Sequence, residues 1–249
     1  SGRDTRAIGT AAVALGVGSA ADGNNTFAAS GGNANGSATI AIGRDSSATS
    51  SDAIAVGRSA NATGGTSISL GYNTSSSETN TVAIGSSVSA TAESAIALGR
   101  STKASGLSAT AIGPLAAASG TTAAAFGFQA KAGGQDSLAI GNNANASGRS
   151  SFAGGLNTVA SGTGALALGD TAKANSDRTI AIGPSAIAND ADSVAVGTRG
   201  TTANKGGLAV GVNANATSTY WSNVALGLDI NAKSTSGGAV GVGRESEAT

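Results

Sequence analysis

Large apolar residues and glycines recur along this chain in a short motif with a fixed spacing. Ile180-Ala181-Ile182-Gly183 is one copy, in which two large residues flank an alanine and a glycine follows. From Ile40 to Leu208 this tetrad recurs every 14 residues. The successive tetrads begin at Ile40, Ile54, Ile68, Val82, Ile96, Thr110, Ala124, Leu138, Phe152, Leu166, Ile180, Val194 and Leu208, with looser copies at Val13, Phe27, Val224 and Val240. A fixed short period predicts a solenoid, in which each repeat is one coil stacked on its neighbours.

One repeat contains two short strands and two tight turns. In the repeat that begins at Leu138, Leu138 and Ile140 are two residues apart and share one face of a strand, while Ala139 lies on the other face. Ala144 and Ala146 define a second short strand, and Gly, Asn and Ser residues fill the turns. A helix is disfavoured because the large residues alternate with a period of two. We therefore predict an all-β parallel roll with about seventeen coils of two strands each.

Charges and prolines agree with this register. From Gly43 onward, charged residues lie in the turns or at the fourth residue after the repeat glycine, which should point outward. The lysines at that fourth position are Lys103, Lys131 and Lys173. Pro114 and Pro184 directly follow a repeat glycine, where no ladder N–H is needed.

Both faces of the first strand are apolar, and one coil can cover only one of them. We expect Ile180 and Ile182 to point inward against Ala186 and Ala188, because large against small fills a thin core. Ala181 and its equivalents then form an outer apolar stripe that a soluble monomer would rarely expose. We expect this stripe to be the interface of an oligomer that packs along the roll. The predicted interface residues are Ala41, Ala55, Ala83, Ala97, Ala111, Ala139, Ala167, Ala181, Ala195 and Ala209.

The amino-acid composition excludes several kinds of functional site. The 249 residues include no Cys and no His, so a disulfide scaffold, a Cys/His zinc site, a cysteine nucleophile and a histidine base are all excluded. Charged residues make up 11% and the formal net charge is zero, which does not suggest a nucleic-acid partner. No acid pair has a catalytic setting, and we expect no enzymatic activity, no cofactor and no metal site.

Several stretches resemble a known family. Asn80-Thr81-Val82-Ala83-Ile84-Gly85, Ser193-Val194-Ala195-Val196-Gly197 and the region from Thr179 to Ala186 are similar to the head repeat of trimeric autotransporter adhesins, the YadA-like head. The resemblance covers the chain from about Ala7 to Thr249. It implies a left-handed parallel β-roll in each chain and three rolls packed around a threefold axis into an elongated homotrimer.

The resemblance also implies a place and a function. Such heads are displayed on the outer membrane of Gram-negative bacteria, on a stalk with a C-terminal membrane anchor that lies outside this sequence. The expected partners are extracellular matrix proteins such as collagen, fibronectin or laminin, cells, or abiotic surfaces. We expect residues 1–249 to form a single head domain that is part of a longer fibrous protein. The alternative is a secreted or phage-fibre solenoid that binds a regular surface such as ice.

A few residues break the apolar–small pattern and are candidates for ligand contact. Tyr220 and Trp221 lie in a coil of 16 residues, where the spacing from Leu208 to Val224 is wider than the usual 14. An aromatic pair can anchor a ligand, although it can equally cover an apolar junction in a loop. The remaining candidates are Phe128 and Tyr72, each directly after a repeat glycine, and the outward lysines Lys103, Lys131 and Lys173.

Overall fold

The computed structural model describes residues 4–202, 205–218, 222–234 and 238–248. Across these residues the regular structure consists of short β-strands, with no helix. The chain divides into two compact units, residues 1–122 and residues 123–249, and each is described by itself.

In each unit the strands alternate between two kinds. Tetrad strands contain the repeated tetrad, and return strands lie between them. In the first unit the tetrad strands are β2 (Val13–Leu15), β4 (Phe27–Ala29), β6 (Ile40–Ile42), β8 (Ile54–Val56), β10 (Ile68–Tyr72), β12 (Val82–Ser86), β14 (Ile96–Arg100) and β16 (Thr110–Ile112). Its return strands are β1 (Arg6–Ala7), β3 (Ala20–Ala21), β5 (Asn33–Ala34), β7 (Ser47–Ala48), β9 (Asn61–Ala62), β11 (Ser75–Ser76), β13 (Ser89–Ala90), β15 (Lys103–Ala104) and β17 (Ala117–Ala118).

The second unit continues the same alternation. Its tetrad strands are β18 (Ala124–Phe126), β20 (Leu138–Ile140), β22 (Phe152–Gly154), β24 (Leu166–Leu168), β26 (Ile180–Ile182), β28 (Val194–Val196), β30 (Leu208–Val210), β32 (Val224–Leu228) and β34 (Val240–Arg244). Its return strands are β19 (Lys131–Ala132), β21 (Asn145–Ala146), β23 (Val159–Ala160), β25 (Lys173–Ala174), β27 (Ile187–Ala188), β29 (Thr201–Thr202), β31 (Asn215–Ser218), β33 (Asn231–Ser234) and β35 (Glu247–Ala248).

Within a unit, each strand pairs in parallel with the strand of the same kind in the next coil. Ile54 is paired with Ile68 and Ala55 with Ser69, so equivalent positions of the repeat stack directly on one another. The tetrad strands thus form one parallel sheet and the return strands form another. This arrangement confirms the predicted all-β parallel solenoid of two-strand coils.

The core between the two sheets is narrow and consists mainly of small side chains. Four positions in each coil point inward: the residue before the tetrad, its second residue, and the third and fifth residues after the repeat glycine. In the coil of β8 these are Ala53, Ala55, Ala60 and Ala62, and all four are 0% exposed.

The face assignment predicted for the tetrad is wrong. The alanine of the tetrad points into the core, while the two large residues that flank it point out and stay half-buried, as Ile180 and Ile182 do in β26. The reason is space, since a sheet faced by Ala186 and Ala188 lies too close for two isoleucines to fit between. The prediction that Ala186 and Ala188 point inward is confirmed.

One coil has a polar core and satisfies it internally. Ser67, Ser69, Thr74 and Ser76 occupy its four inward positions and are buried. The Ser69 hydroxyl donates to Thr74 Oγ1 at 2.8 Å, Ser67 donates to the carbonyl of Gly64 at 2.6 Å, and Ser76 donates to the carbonyl of Ile68 at 2.6 Å. Buried hydroxyls with such partners avoid most of the cost of leaving water. The core therefore requires small side chains but accepts both apolar and hydroxyl-bearing ones.

Two coils of 16 residues use a buried asparagine to close the wider turn. Asn223 stands directly before β32, at the inward position that Ala, Ser or Thr fills in most other coils, and it is 0% exposed. Its Nδ2 donates to the carbonyls of Thr217 at 2.7 Å and Ala232 at 3.0 Å, and its Oδ1 accepts from the amide of Ala239 at 2.9 Å. A single side chain thus connects three backbone groups of the two wider coils.

The repeat glycines allow neighbouring coils to approach closely. Gly85 has φ of +138°, and a Cβ added there would lie 1.7 Å from the carbonyl oxygen of Gly99 in the next coil. An L-residue is strained at that φ, and the obstacle is backbone that cannot rotate away. The glycine is therefore required both by backbone conformation and by stacking distance.

We predict that Gly85→Ala lowers the free energy of unfolding by roughly 2 kcal/mol or more, because strain and the clash with Gly99 add together. Gly65→Ala is the matched control, since Gly65 lies in a nearby turn with nothing within 4 Å of an added Cβ. Thermal unfolding followed by circular dichroism measures both. Equal melting temperatures for the two variants would contradict the stacking role of the repeat glycine.

Candidate interaction surfaces

The outer face of the tetrad sheet presents a continuous apolar surface in each unit, which we call the outer apolar stripe. It consists of the first and third residues of the tetrad strands. Its large members in the first unit are Val13, Leu15, Phe27, Ile40, Ile42, Ile54, Val56, Ile68, Leu70, Val82, Ile84, Ile96, Leu98 and Ile112. In the second unit they are Phe126, Leu138, Ile140, Phe152, Leu166, Leu168, Ile180, Ile182, Val194, Val196, Leu208, Val210, Val224, Leu226, Val240 and Val242.

The stripe is partly exposed because side chains in it are covered only by their neighbours one coil away. Ile84 is 39% exposed in the first unit and Ile140 is 42% exposed in the second. Apolar surface of this extent is uncommon on soluble monomers and marks a surface that binds another molecule. The stripe is two residues wide, so it offers large aliphatic side chains to a partner.

The alanines predicted as an oligomer interface do not lie on this surface. All ten are 0% exposed inside a single chain: Ala41, Ala55, Ala83, Ala97, Ala111, Ala139, Ala167, Ala181, Ala195 and Ala209. Their own coil already buries them against the return sheet, so they have no area left to offer a second chain. The inference that one face of the tetrad strand remains uncovered stands, but the large residues occupy that face.

Tyr72 lies at the end of β10, beside the stripe, and is 47% exposed. The guanidinium carbon of Arg58, one coil away at the same repeat position, is 4.4 Å from the centroid of its ring. This is the geometry of a cation–π contact. Tyr72 is therefore accessible, and Arg58 orients its ring.

The other predicted contact residues are accessible in separate places. Phe128 is 41% exposed in the second unit, directly after Gly127. The three lysines point outward from the return sheet, as predicted: Lys103 in β15, Lys131 in β19 and Lys173 in β25. Lys131 and Lys173 are three coils apart in the second unit, so they do not form one cluster. Tyr220 and Trp221 lie outside the described residues, and their role stays a prediction.

A shallow polar groove on the second unit was not predicted from the sequence. Gln129, Asn143 and Asn157 stack at the second position after successive repeat glycines, and Asn143 Nδ2 donates to Asn157 Oδ1 at 3.2 Å. With Lys131, Asn145 and Val159 on the neighbouring return strands, they line a volume of 310 Å³. The signal in the sequence was the recurrence of amides 14 residues apart, which the apolar pattern overshadowed.

The turns tolerate this stacking because two residues in most coils adopt a left-handed backbone conformation. Asn143 has φ of +56° and Asn80 has φ of +60°. Asparagine enters this region more readily than most residues. Because equivalent turns lie one above the next, their side chains form polar ladders such as Thr66 to Asn80 at 2.5 Å and Asn175 to Asn189 at 2.8 Å.

One ladder step is a two-point ion pair. Arg178 Nε donates to Asp192 Oδ1 at 2.5 Å and Nη2 donates to Oδ2 at 2.9 Å. These hydrogen bonds lower the pKa of Asp192; the charges of Arg178 and Lys205 act in the same direction, and partial desolvation opposes them. The same contact raises the pKa of Arg178. Both side chains are substantially exposed, so the pair contributes modestly to stability.

The described surface consists mainly of apolar side chains and polar turn residues. Among the described residues, no group of three or more Asp and Glu side chains is placed to hold a metal ion. The described part of the chain also has no helix with the length and hydropathy needed to cross a membrane. What the geometry offers is a long apolar stripe flanked by polar ladders, repeated coil after coil.

Comparison with known proteins agrees with this description. The sequence matches the family described as YadA head domain repeat over residues 7–29, 34–60, 62–87, 90–116, 118–144, 132–158, 160–186 and 177–199. The search of curated proteins found no match. The matched repeats cover most of the chain. The chain belongs to the family of YadA head domains, which is a family of cell-surface adhesins.

The family match ends before the two widest coils. It reaches residue 199, whereas the coils with spacings of 16 residues lie between Leu208 and Val240. The tetrad strands β30, β32 and β34 nevertheless keep the parallel register. The parallel stacking of the tetrad strands therefore continues through the wider coils.

We predict that Asp192→Asn lowers the melting temperature at pH 7 and that the difference from the parent disappears in acid. The pKa of Asp192 is lower in the folded chain than in the unfolded chain, where it is about 3.9. The ionised carboxylate therefore stabilises the fold above about pH 3.9, and this stabilisation is lost as the pH falls through the pKa of the folded state. Asparagine fits the left-handed turn, since Asn80 holds the same repeat position. Melting curves from pH 7 down to about pH 2.5 test this, with Glu78→Gln as the control at an exposed carboxylate. A difference that persisted at the lowest pH would rule out the ion pair as its source.

Proposed function

We propose that this chain is the non-enzymatic head region of a trimeric autotransporter adhesin, which attaches a bacterium to extracellular matrix proteins, cells or other surfaces. The observation that carries the proposal is the outer apolar stripe, a surface that one chain leaves partly exposed and that a trimer would bury. Membership of the YadA head family supports it, because such heads form trimers. In this proposal residues 1–249 form one head domain of a longer fibre.

The geometry of the stripe supports the proposed trimer. Three rolls that turn their tetrad sheets toward a common axis bring three stripes together in a continuous apolar centre. The large residues of the tetrad strands then supply the centre of the trimer, and the small residues supply the centre of each roll. Obligate interfaces of this kind resemble a protein core that is divided between chains.

The repetition of surface groups in such a trimer supports the proposed adhesion. The return sheets and turns face outward in such a trimer, so every accessible group is displayed three times around the axis. Several weak contacts on one fibre act together, because the first contact raises the effective concentration of the others. Collagen, fibronectin and laminin are proposed partners, and anchoring in the outer membrane through a C-terminal segment outside this sequence is part of the same proposal.

We predict that Ile182→Asp dissociates or destabilises the trimer, because it would place three carboxylates near the axis. Ile187→Asp in the same coil is the matched control, since Ile187 is also half-buried but lies on the return strand β27. Light scattering after size exclusion gives the mass of each variant. A parent protein that is a stable monomer would contradict the trimer, and equal effects of the two variants would contradict the stripe as its interface.

Adhesion itself is tested with the purified trimer on surfaces coated with collagen, fibronectin or laminin, on cells and on bare polystyrene. We expect retention on at least one of these surfaces, and a several-fold reduction when the responsible residue is changed. Tyr72→Ala, Phe128→Ala, Lys173→Ala and Trp221→Ala cover the candidate positions. Failure of a verified trimer to bind any of these surfaces would contradict the adhesive function while leaving the trimer intact.

A further inference from the structure

Charges of opposite sign stand at the two ends of particular tetrad strands. Asp52 lies two residues before β8 and Arg58 lies two residues after it. Glu93 lies three residues before β14, and Arg100 is the last residue of that strand. All four residues are exposed, and they flank the outer apolar stripe at opposite edges of the first unit.

These charges have no ion-pair partner within the part of the chain that the structure describes. Arg58 stacks on Tyr72, but no salt bridge involves Asp52, Arg58, Glu93 or Arg100. Asp52 and Arg58 are also too distant to pair with each other, since six residues of extended chain span about 20 Å. Ion pairs within this protein join neighbouring residues or neighbouring coils, as Arg178 and Asp192 do.

Acidic and basic residues follow the same order wherever both ends of a tetrad strand carry a charge. Across the described residues, three tetrad strands have a charge in the turn positions on both sides: β8, β14 and β28, where Asp192 precedes the strand and Arg199 follows it. In each case the acid comes first and the base second. No tetrad strand in the described ranges shows the reverse order or two like charges at these positions.

In a cyclic trimer this order would place opposite charges next to each other at every interface between chains. In a ring of three identical chains each interface is head-to-tail, so the end of a tetrad strand in one chain faces the start of a tetrad strand in the next. Rotation about the axis does not move a chain along it, so the two facing strands are equivalent and lie at the same height. A base at the end of β8 then meets an acid at the start of β8 in the neighbouring chain.

We propose that Arg58 of one chain pairs with Asp52 of the next chain around the trimer, and that Arg100 pairs with Glu93 in the same way. The partner of these turns is thus a second copy of this chain. Each pair occurs three times in the trimer and holds the edges of two neighbouring rolls together. The pairs lie around the apolar centre that the three stripes form. Interfaces commonly have this anatomy, with charged residues excluded from the centre and placed around it. The inference rests on the proposed homotrimer.

A charge-swap experiment tests the pairing. The acid-reversal variant carries Asp52→Arg and Glu93→Arg, the base-reversal variant carries Arg58→Asp and Arg100→Asp, and the swap variant carries all four changes. We expect each reversal to lower the melting temperature of the trimer by several degrees and the swap variant to recover most of the loss. Recovery reports contact between chains, because the partners lie beyond reach within one chain.

The substitutions introduce residue types that the chain already has at the same repeat positions, so we expect the variants to fold. Misfolding should therefore not account for a lower melting temperature. Arg178 occupies the repeat position of Asp52 with the same left-handed backbone, and Arg149 occupies that of Glu93. Asp170 occupies the repeat position shared by Arg58 and Arg100. If a reversal lowers the melting temperature at low salt but not at high salt, the cause of the loss is electrostatic. A swap variant that stays as unstable as the reversals overturns the pairing.

A chemical cross-link distinguishes failure of the pairing from failure of the trimer. The chain has no cysteine, so Asp52→Cys with Arg58→Cys introduces the only two thiols. A bismaleimide reagent shorter than the separation within one chain should link three chains into a covalent trimer, whereas Asp52→Cys alone should not. A protein that light scattering shows to be trimeric but that fails to cross-link overturns the pairing alone. A monomeric parent overturns the proposed assembly.

Discussion

The distance between the tetrad sheet and the return sheet governs the rest of this structure. Parallel coils of 14 residues leave a gap that Ala, Ser and Thr fill at nearly every inward position. Exceptions are compensated locally, since Ile230 enters the core where Gly241 in the next coil carries no side chain. A gap of this width excludes two facing isoleucines. The large residues of every tetrad are thereby directed outward, and the apolar surface of the chain exceeds what the chain itself can bury.

That excess explains why assembly and function belong together here. A globular domain hides its large aliphatic residues, whereas each unit of this chain displays them along one face and keeps its small residues inside. In the proposed trimer, identical chains bury this stripe, and turns and return strands form the outer surface. Those outer elements carry the residues that vary most between coils, so the surface can change without disturbing the stacking. An adhesin benefits from this separation, because binding groups and structural groups occupy different positions of the repeat.

Stacking also aligns equivalent turn positions into columns, in which side chains one coil apart can interact. In the column two residues before the tetrad, Thr66 donates to Asn80 and Arg178 pairs with Asp192. Charged residues that form no salt bridge within the described part of the chain, such as Asp52 and Arg58, remain available to pair with another chain. The same geometry that stabilises the roll therefore decides which side chains are left to interact outside it.

The period of the tetrad, the strand–turn alternation and the outward lysines could all be predicted from the sequence, because each depends on local alternation and on the avoidance of buried charge. Family membership was equally accessible, since a motif repeated in register is specific even when one copy is not. The sequence also indicated that one tetrad face would remain uncovered. Which face it is could not be decided locally, because Ile180 and Ala181 are both apolar and a strand presents both faces alike. Only the tertiary structure decided this, through the close approach of the return strand and its own row of alanines, which leaves room for Ala181 and none for Ile180.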